Sequence, residues 1–590
     1  TIAYGLLSAR IINPKANTKD AAHTQIPITN PFLRDLMETF LNAGGRNHSS
    51  NVGLDFDELG INEVVEMLDN TNMEAVLRDF GDRNQKEDPV MHFFEGFLQE
   101  YDSKIRKDRG VFYTPQPVVS FIVRSVDEQL RTEFGLEDGL ADTSTWEVLV
   151  KRITDLEIPK GTSPDQAFVQ ILDPATGTGT FPVEVIDIIH KTMTAKWRSK
   201  GKRDTEIKEL WNEYVPKHLL PRLHGYELMM APYAIAHMKI GLKLYETGYK
   251  FNSDERARIY LTNALEPAPD FSETFSFAIP ALANESKAVN TIKRNKYFSV
   301  VIGNPPYLGE GGVSKGWISN LMDDYKKEPG GKEKLKERNP KWLNDLYVKF
   351  IRMTSYLLEL NRVGIMGFIT NHSYLDNPTF RGMRWHLLNT FEKIFILDIH
   401  GNSKKKETTP EGRPDKNVFD IQQGVSIIVG LKKNKHKEVL SSVRQSDLWG
   451  ERKTKYSALE ILKLSDPIFI NLNCTAPQYP LVRRDFTMQV KYDEGFLISE
   501  FMPINSVGIV TARDKFTIDK NKEVLWQRVK DFAKEASNIA RETYKLGKDV
   551  RDWKVEWAQA DVNNSLKKEN ITHISYRPFD VRWTYYTGKS

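Results

Sequence analysis

A chain of 590 residues is too long for one hydrophobic core, so two to four domains are expected. Apolar residues at 40% and charged residues at 27% are ordinary for a globular protein, and no apolar run approaches the ~20 residues of a membrane-spanning helix. A formal charge of +4 is close to neutral for this size, which leaves any nucleic-acid contact to local basic patches. The one cysteine, Cys474, excludes an internal disulfide and a multi-cysteine zinc site, and fits a reducing cytoplasm. The opening residues, TIAYGLLSARIINP, lack the basic start and cleavage site of a signal peptide. They also lack an initiator methionine, and the far end stops in aromatic, strand-like sequence. Both ends read as those of a piece of a longer polypeptide.

Residues 1–95 read as a helical region. FLRDLMETFLNAGG and INEVVEMLDNTNMEAVLRDFG place apolar residues at helical spacing, and the first ends in glycines suited to a C-cap. A third amphipathic segment runs into GVFYTPQPVVSFIVRSVDEQL, where Thr114 and Pro115 read as cap and first helical position. From about residue 165 the texture changes. AFVQILDPA, RLHGYEL, ARIYLTNAL, YFSVVIGNPP, RVGIMGFITN, KIFILDIHG and GVSIIVGLKK read as strands, with helix-like stretches between several of them. Such alternation predicts an α/β layer fold around a mainly parallel, doubly wound sheet, here over residues 96–436. Residues 309–341, glycine-rich and charged, read as a mobile insertion. Beyond it, residues 437–590 read as a second domain with one long helix over 521–546.

Four stretches carry chemistry. In ILDPATGTGTFPVEVI a strand ends at Asp173 and a turn with Gly177 and Gly179 opens a helix, which lets backbone approach a ligand closely. No lysine follows, which argues against a nucleoside triphosphate. Glu227 ends the next strand, where an acid can accept hydrogen bonds from ribose hydroxyls. Asn263 ends another and can both donate and accept, which suits the edge of a purine. Finally, VIGNPPYL ends its strand in Asn304, Pro305, Pro306 and Tyr307. The Asn304 amide oxygen and the Pro305 carbonyl can each accept one hydrogen of an exocyclic amine, drawing its lone pair out of conjugation, and Tyr307 offers a flat stacking face.

DPATGTGTF followed by NPPY resembles the S-adenosylmethionine (AdoMet)-dependent amino-methyltransferases, in particular the gamma-class DNA adenine-N6 enzymes. GVFYTP resembles their upstream cofactor motif, and NHSYLDNPTFRGMRWHLL a later motif whose aromatic packs on a flipped adenine, here Phe380. The resemblance implies that Asn304, Pro305, Pro306 and Tyr307 are catalytic and that Tyr307 and Phe380 sandwich the base. It implies that Tyr113, Thr114, Asp173, Ala175, Gly177, Gly179, Phe181, Glu227 and Asn263 bind AdoMet. No metal is required.

A wider resemblance, carried by TIAYGLLSARI, FFEGFLQEYDSKIRKDRGVFYTPQPVV, VGIVTARD and ISYRPFDVRWTYY, is to the Type ISP restriction–modification enzymes. It implies a coupler over 1–95, a methyltransferase over 96–436 and a target-recognition domain over 437–590, in a bacterial cytoplasm, with nuclease and ATP-driven translocase domains elsewhere on the same polypeptide. Basic runs at Lys404–Lys406 and Lys432–Lys437 make Lys404, Lys405, Lys432 and Lys433 candidates for DNA contact, and Arg513 in GIVTARDKF is another. Cytosine-C5 chemistry needs a cysteine nucleophile, and Cys474 lies far in sequence from the sheet motifs. A protein glutamine methyltransferase would also use NPPY, but would not need a large C-terminal domain. A non-catalytic DNA-recognition module would not need the full set of motifs.

Overall fold

A computed structural model describes Leu6, Phe32, Arg34, Asp35, residues 60–72, and residues 114–588 apart from 155, 254, 269–279, 308–315, 338–339, 434–438, 505–507 and 551–552. The chain divides into two compact units between Arg484 and Asp485. Most of the N-terminal region expected to be helical lies outside the described residues, and its described part is chiefly α1 (Ile61–Asp69).

The first unit is built on a nine-stranded sheet. Its strands are β1 (Ile171–Asp173), β2 (Leu223–Glu227), β3 (Arg258–Leu261), β4 (Val300–Gly303), β5 (Gly364–Asn371), β6 (Lys393–His400), β7 (Val425–Lys432), β8 (Ser442–Asp447) and β9 (Ile470–Leu472). The spatial order is β3-β2-β1-β4-β5-β7-β6-β8-β9. The strands from β3 through β5 pair in parallel, whereas β7 runs antiparallel between β5 and β6. All seven strands expected from the sequence are present.

Successive residues of a strand face opposite sides of the sheet, and the two cores sort accordingly. Ile171, Val300, Ile302, Ile365 and Ile369 enter one cluster with Phe121, Ile122 and Val126 of helix α2 (Gln116–Phe134), with Val185 of α3 (Thr180–Ser199) and with Tyr233 of α4 (Met230–Glu246). Leu172, Val301, Met366 and Phe368 enter the other, with Val289 of α5 (Pro280–Asn295), Val348 of α6 (Leu346–Asn361) and Leu387 of α7 (Arg381–Thr390). Helices on both faces and a mainly parallel core make this the expected doubly wound α/β fold.

Three readings change. Residues 437–484 continue the large sheet through β8 and β9, and α8 (Arg452–Ile461) packs with α2 through Arg124, which donates to the Leu459 and Leu462 carbonyls. SVRQSD is too polar to announce a strand, yet as an outer strand it buries Val443, Gln445 and Ser446. Nor do the described parts of the insertion at 309–341 form a loose loop. Ile318, Met322 and Tyr325 are buried in the second cluster, and Arg381 pairs with Glu328 at 2.6 Å. Finally, Thr114 does not cap α2: the N-cap is Pro115, with no side-chain bond to the helix.

The second unit carries a small antiparallel sheet in the order β10 (Ile518–Asp519), β12 (Asp580–Tyr585), β11 (Ile571–Arg577). The long helix expected over 521–546 is two, α9 (Lys522–Lys534) and α10 (Ser537–Thr543), because Glu535 and Ala536 adopt extended backbone. That bend lets Ala540 join Phe532, Leu546 and Val555, the last on α11 (Val555–Asn564), in one small core.

Arg384 on α7 is fully buried, and burial pulls its guanidinium down to about 9. It donates to the carbonyls of Tyr374 and Asn377 at 2.9 and 2.8 Å, and to Gln478 at 2.7 and 2.9 Å. It thereby ties the segment after β5 to residue 478. Arg384→Leu leaves three carbonyls without that donor and is expected to cost about 2–4 kcal/mol, read as a lower denaturant midpoint. Arg384→Lys, lacking the fork, should recover only part of it.

Candidate functional site

Strand order reverses between β1 and β4: β2 and β3 lie outward of β1, and β5 outward of β4. The connections leaving the carboxyl ends of β1 and β4 therefore diverge and open a crevice, the place where open α/β sheets bind ligands. One connection is the glycine turn after Asp173, the other the Asn304–Tyr307 element. Two prolines end β4 there because proline supplies no N–H to the ladder.

The glycine turn has φ values of 55° at Gly177 and 84° at Gly179, in the left-handed region where a side chain is strained. Gly179 meets a second constraint, since a Cβ there would lie 3.1 Å from that of Ala236 on α4. The turn brings α3 close against α4 and aims its first backbone N–H groups at the crevice.

Two buried acids border the turn. Glu227, at the end of β2, accepts from the Gly177 N–H through Oε2 and from the Met229 N–H through Oε1, both at 2.8 Å. Burial raises its carboxyl to about 7. Asp173 is 1% exposed, and burial raises it to about 8, with the Glu227 carboxylate adding to the rise. Its Oδ1 accepts from the Ala175 N–H at 3.1 Å. Gly303 leaves it room, because a Cβ at that position would lie 2.7 Å from Oδ1. Asp173 Oδ2 is buried with no hydrogen-bond partner among the described residues. A buried carboxyl oxygen without a partner is costly, so this position favours a ligand that brings a polar group to it, and a cationic amine there would favour the ionised carboxyl.

On the other wall the Asn304 amide is held at both ends. Its Nδ2 donates to Thr114 Oγ1 at 3.0 Å, and its Oδ1 accepts from the Tyr307 hydroxyl at 2.5 Å. That hydroxyl also lies 3.2 Å from the Ile369 carbonyl on β5. Tyr307 is half-buried: its hydroxyl points inward, and Tyr347 meets its ring edge-on at 6.2 Å. Burial drives the Tyr307 phenol well above its usual range, so it stays a donor.

The remaining expected site residues separate. Tyr113 lies outside the described residues. Ala175 lines the turn, and Phe181, in the first turn of α3, is 3% exposed in the first core. Asn263 follows β3, but its amide is engaged locally, donating to Glu266 at 2.8 Å and accepting from the Leu265 N–H at 3.1 Å. Phe380 is 1% exposed within the second core, so it presents no free ring face; the flanking Asx turn of Asn377 and the Arg384 staple draw it inward.

The basic candidates sort by strand direction. Lys404 and Lys405 are exposed just beyond the carboxyl end of β6. Because β7 is antiparallel, Lys432 instead pairs with Gly364 at the start of β5, at the far end of the sheet from Asn304. There Lys432 donates to the Thr390 carbonyl, and Lys433 pairs with Glu133 at 2.9 Å. Arg513 donates to the Lys548 carbonyl at 2.8 Å and lies over Trp553, so it braces its own unit. In all three, internal partners engage a charge that the sequence leaves open, because a basic residue read from sequence carries no information on them.

Sequence reasoning missed the support beneath Lys404. His372, Asp398 and His400 are buried, with donor atoms within 4.8 Å of one another, a set that metals can use. Here they are engaged by neighbouring carboxylates: His372 Nδ1 meets Asp398 at 3.0 Å, and His400 Nε2 meets Asp447 at 2.9 Å. The carboxylates hold His372 above its ordinary range. Asn402, 3.4 Å from His372 Nε2, accepts from the Lys405 N–H and so shapes the basic loop. A histidine at the carboxyl end of each of two strand segments was the available signal.

Residues 85–135 match the family model of the N-6 DNA methylases, residues 224–404 that of the Eco57I restriction-modification methylase, and residues 500–590 that of the Type ISP C-terminal specificity domain. Among solved structures, a nuclease-deletion mutant of the Type ISP restriction–modification enzyme LlaGI with a DNA substrate mimic superposes with a TM-score of 0.60 at 19% identity over 98% of this chain. The ATP-dependent Type ISP enzyme LlaBIII bound to DNA gives 0.58 at 21% identity, and a DrdV–DNA complex 0.57 at 21%, each over 99%. At these identities the likeness establishes the fold. The chain spans 50% of the LlaGI chain, 38% of the LlaBIII chain and 55% of the DrdV chain. No curated protein sequence matches it.

The raised Asp173 carboxyl has a thermodynamic signature. It is neutral to about pH 8 in the fold but ionises near its ordinary value of 3.8 when unfolded. The unfolded chain therefore binds fewer protons between those values, and stability falls as pH rises through them. Asp173→Asn should flatten part of this decline. Thermal midpoints measured across that range test it, and an unchanged profile would mean that the carboxyl is already ionised in the fold.

Proposed function

We propose that this chain is the modification and target-recognition portion of a Type ISP restriction–modification enzyme, and that it transfers a methyl group from AdoMet to the N6 amine of an adenine in duplex DNA. The three family matches lie in the order that this reading requires, from an adenine-methylase segment to a C-terminal specificity domain. The observation that carries it is the position of Asn304 and Pro305, which leave β4 directly beside the glycine turn of β1, with the Asn304 amide held at both ends. A specificity domain favours DNA over a glutamine side chain as the substrate.

AdoMet supplies, when bound, a methyl group activated on a sulfonium sulfur. The residues present fit it: the partnerless Asp173 oxygen suits its ammonium group, the turn from Ala175 to Gly179 its methionine part, and Glu227 its ribose hydroxyls. Thr114 stands at the same crevice. Asn263 is kept only as a neighbour of the purine edge, its own amide being engaged.

The target adenine is unreachable within a duplex and must be extruded, at a cost of a few kcal/mol. Tyr307 offsets ~1–3 kcal/mol of this by stacking. Asn304 Oδ1 and the Pro305 carbonyl would then accept the two N6 hydrogens, so that the nitrogen lone pair, released from ring conjugation, takes the methyl group as the donor sulfur becomes a neutral thioether, and one N6 proton then leaves past these acceptors to solvent. Pro306 stiffens the turn so that both acceptors stay aimed. Positioning and fixed dipoles carry the rate. Lys404 and Lys405 hold the phosphate backbone near the crevice, while the C-terminal unit contributes to reading the sequence. Nuclease and translocase activities would reside on other parts of the full-length polypeptide. A reducing bacterial cytoplasm suits the reading, and no described helix is long and apolar enough to cross a membrane.

Incubation with tritiated AdoMet and unmethylated phage DNA should place label in adenine-N6, and Asn304→Ala should lower the rate by about 10²–10³. Label in cytosine, or an Asn304→Ala rate equal to wild type, overturns the assignment. For DNA affinity, Lys404→Ala with Lys405→Ala should reduce the slope of log K against log salt by about 2, at ~0.9 per phosphate contact. Lys432→Ala with Lys433→Ala should leave that slope unchanged.

A further inference from the structure

The Thr114 hydroxyl is the least expected member of the crevice. It stands where the sequence suggests a helix cap, but the N-cap of α2 is Pro115. Instead Thr114, 7% exposed, accepts the Asn304 Nδ2 hydrogen through its hydroxyl oxygen across 190 positions of sequence. An amide has two ends that differ only in which one donates. Which end faces the base decides whether Asn304 presents an acceptor or a clashing donor to an incoming amine. A hydroxyl can accept at one side while donating at another, and Thr114 has no acceptor for its own O–H among the described residues.

We infer that Thr114 is a positioning residue for Asn304: by accepting from Nδ2 it keeps the amide oxygen turned toward the base, with its own O–H left free to face the bound cofactor. The Tyr307 hydroxyl completes the arrangement. It holds Oδ1 while the base is absent, and when the amine arrives it still has the Ile369 carbonyl within 3.2 Å. The phenol is therefore not left as a buried unpaired donor, and the exchange carries no desolvation penalty from that source. Together the two hydroxyls fix the amide without occupying it permanently. The inference rests on the methyl-transfer reading and extends it to a residue otherwise assigned only to the cofactor.

The test compares Thr114→Val, which keeps the shape and removes the hydroxyl, with Thr114→Ser, which keeps the hydroxyl, in the full chain. With unmethylated phage DNA and AdoMet raised to saturation, Thr114→Val should lower kcat about tenfold or more with the KM for DNA nearly unchanged. Thr114→Ser should stay within about threefold of wild type. A readout independent of turnover is exchange of the Asn304 side-chain amide protons, assigned by their loss in Asn304→Ala. These protons should be slowed in wild type and Thr114→Ser, and exchange several-fold faster in Thr114→Val. Full recovery of kcat by saturating AdoMet would make Thr114 a cofactor contact alone and overturn the inference, as would equal amide exchange in the two variants. Absence of methyl transfer by wild type would instead remove the parent reading, and this inference with it.

Discussion

Ile171 and Leu172 lie beside Val300 and Val301 in a short parallel ladder, and the working end of the molecule depends on that pairing. On either side of it the strand order runs outward in opposite directions. The loops leaving β1 and β4 cannot cover one another, so a crevice stays open at their carboxyl ends. Each ladder residue is buried on both faces by helices, which makes the base of the crevice rigid. Gly303 then lets the two strands approach closely enough for Asp173 to sit against β4. A site built on such a base can hold an amide and a carboxylate in register without support from mobile loops.

The polar groups at the crevice are held under tension of a specific kind. Asp173 and Glu227 are carboxyls in a place that disfavours charge, and Asp173 keeps one oxygen without a partner among the described residues. Tyr307 presents a deeply buried hydroxyl to Asn304. Groups of this sort lower the stability of the free protein and are relieved by a ligand that brings the missing polar partner, a pattern common at binding sites. Away from the crevice, Arg384 shows the opposite case, a buried charge whose guanidinium reaches three carbonyls.

Reversal of one strand sorts the surface. Because β7 runs against its neighbours, the lysines that end it emerge at the amino ends of β5 and β6 and bind Glu133 and the Thr390 carbonyl. The lysines after β6 emerge at the same end of the sheet as the site, on a loop braced by His372 and Asn402. Two basic runs that look alike in composition thus face opposite ends of the sheet.

The amino-acid sequence determined the class of fold, seven of the strands and the turn chemistry at Gly177, Gly179 and the Asn304–Tyr307 element. These are local properties: apolar alternation, glycine's access to positive φ, and proline's missing donor act over a few residues. It did not reveal β8, whose polar residues become a strand only because β6 lies beside them, nor the burial of Phe380, which depends on the packing of α7. Partnership was equally invisible. Thr114 finds Asn304 across 190 positions, and Lys433 finds Glu133 across 300. Tertiary structure alone decided those pairings, because they follow from strand order and direction, which are set by how the whole sheet buries its two faces rather than by any short stretch of chain.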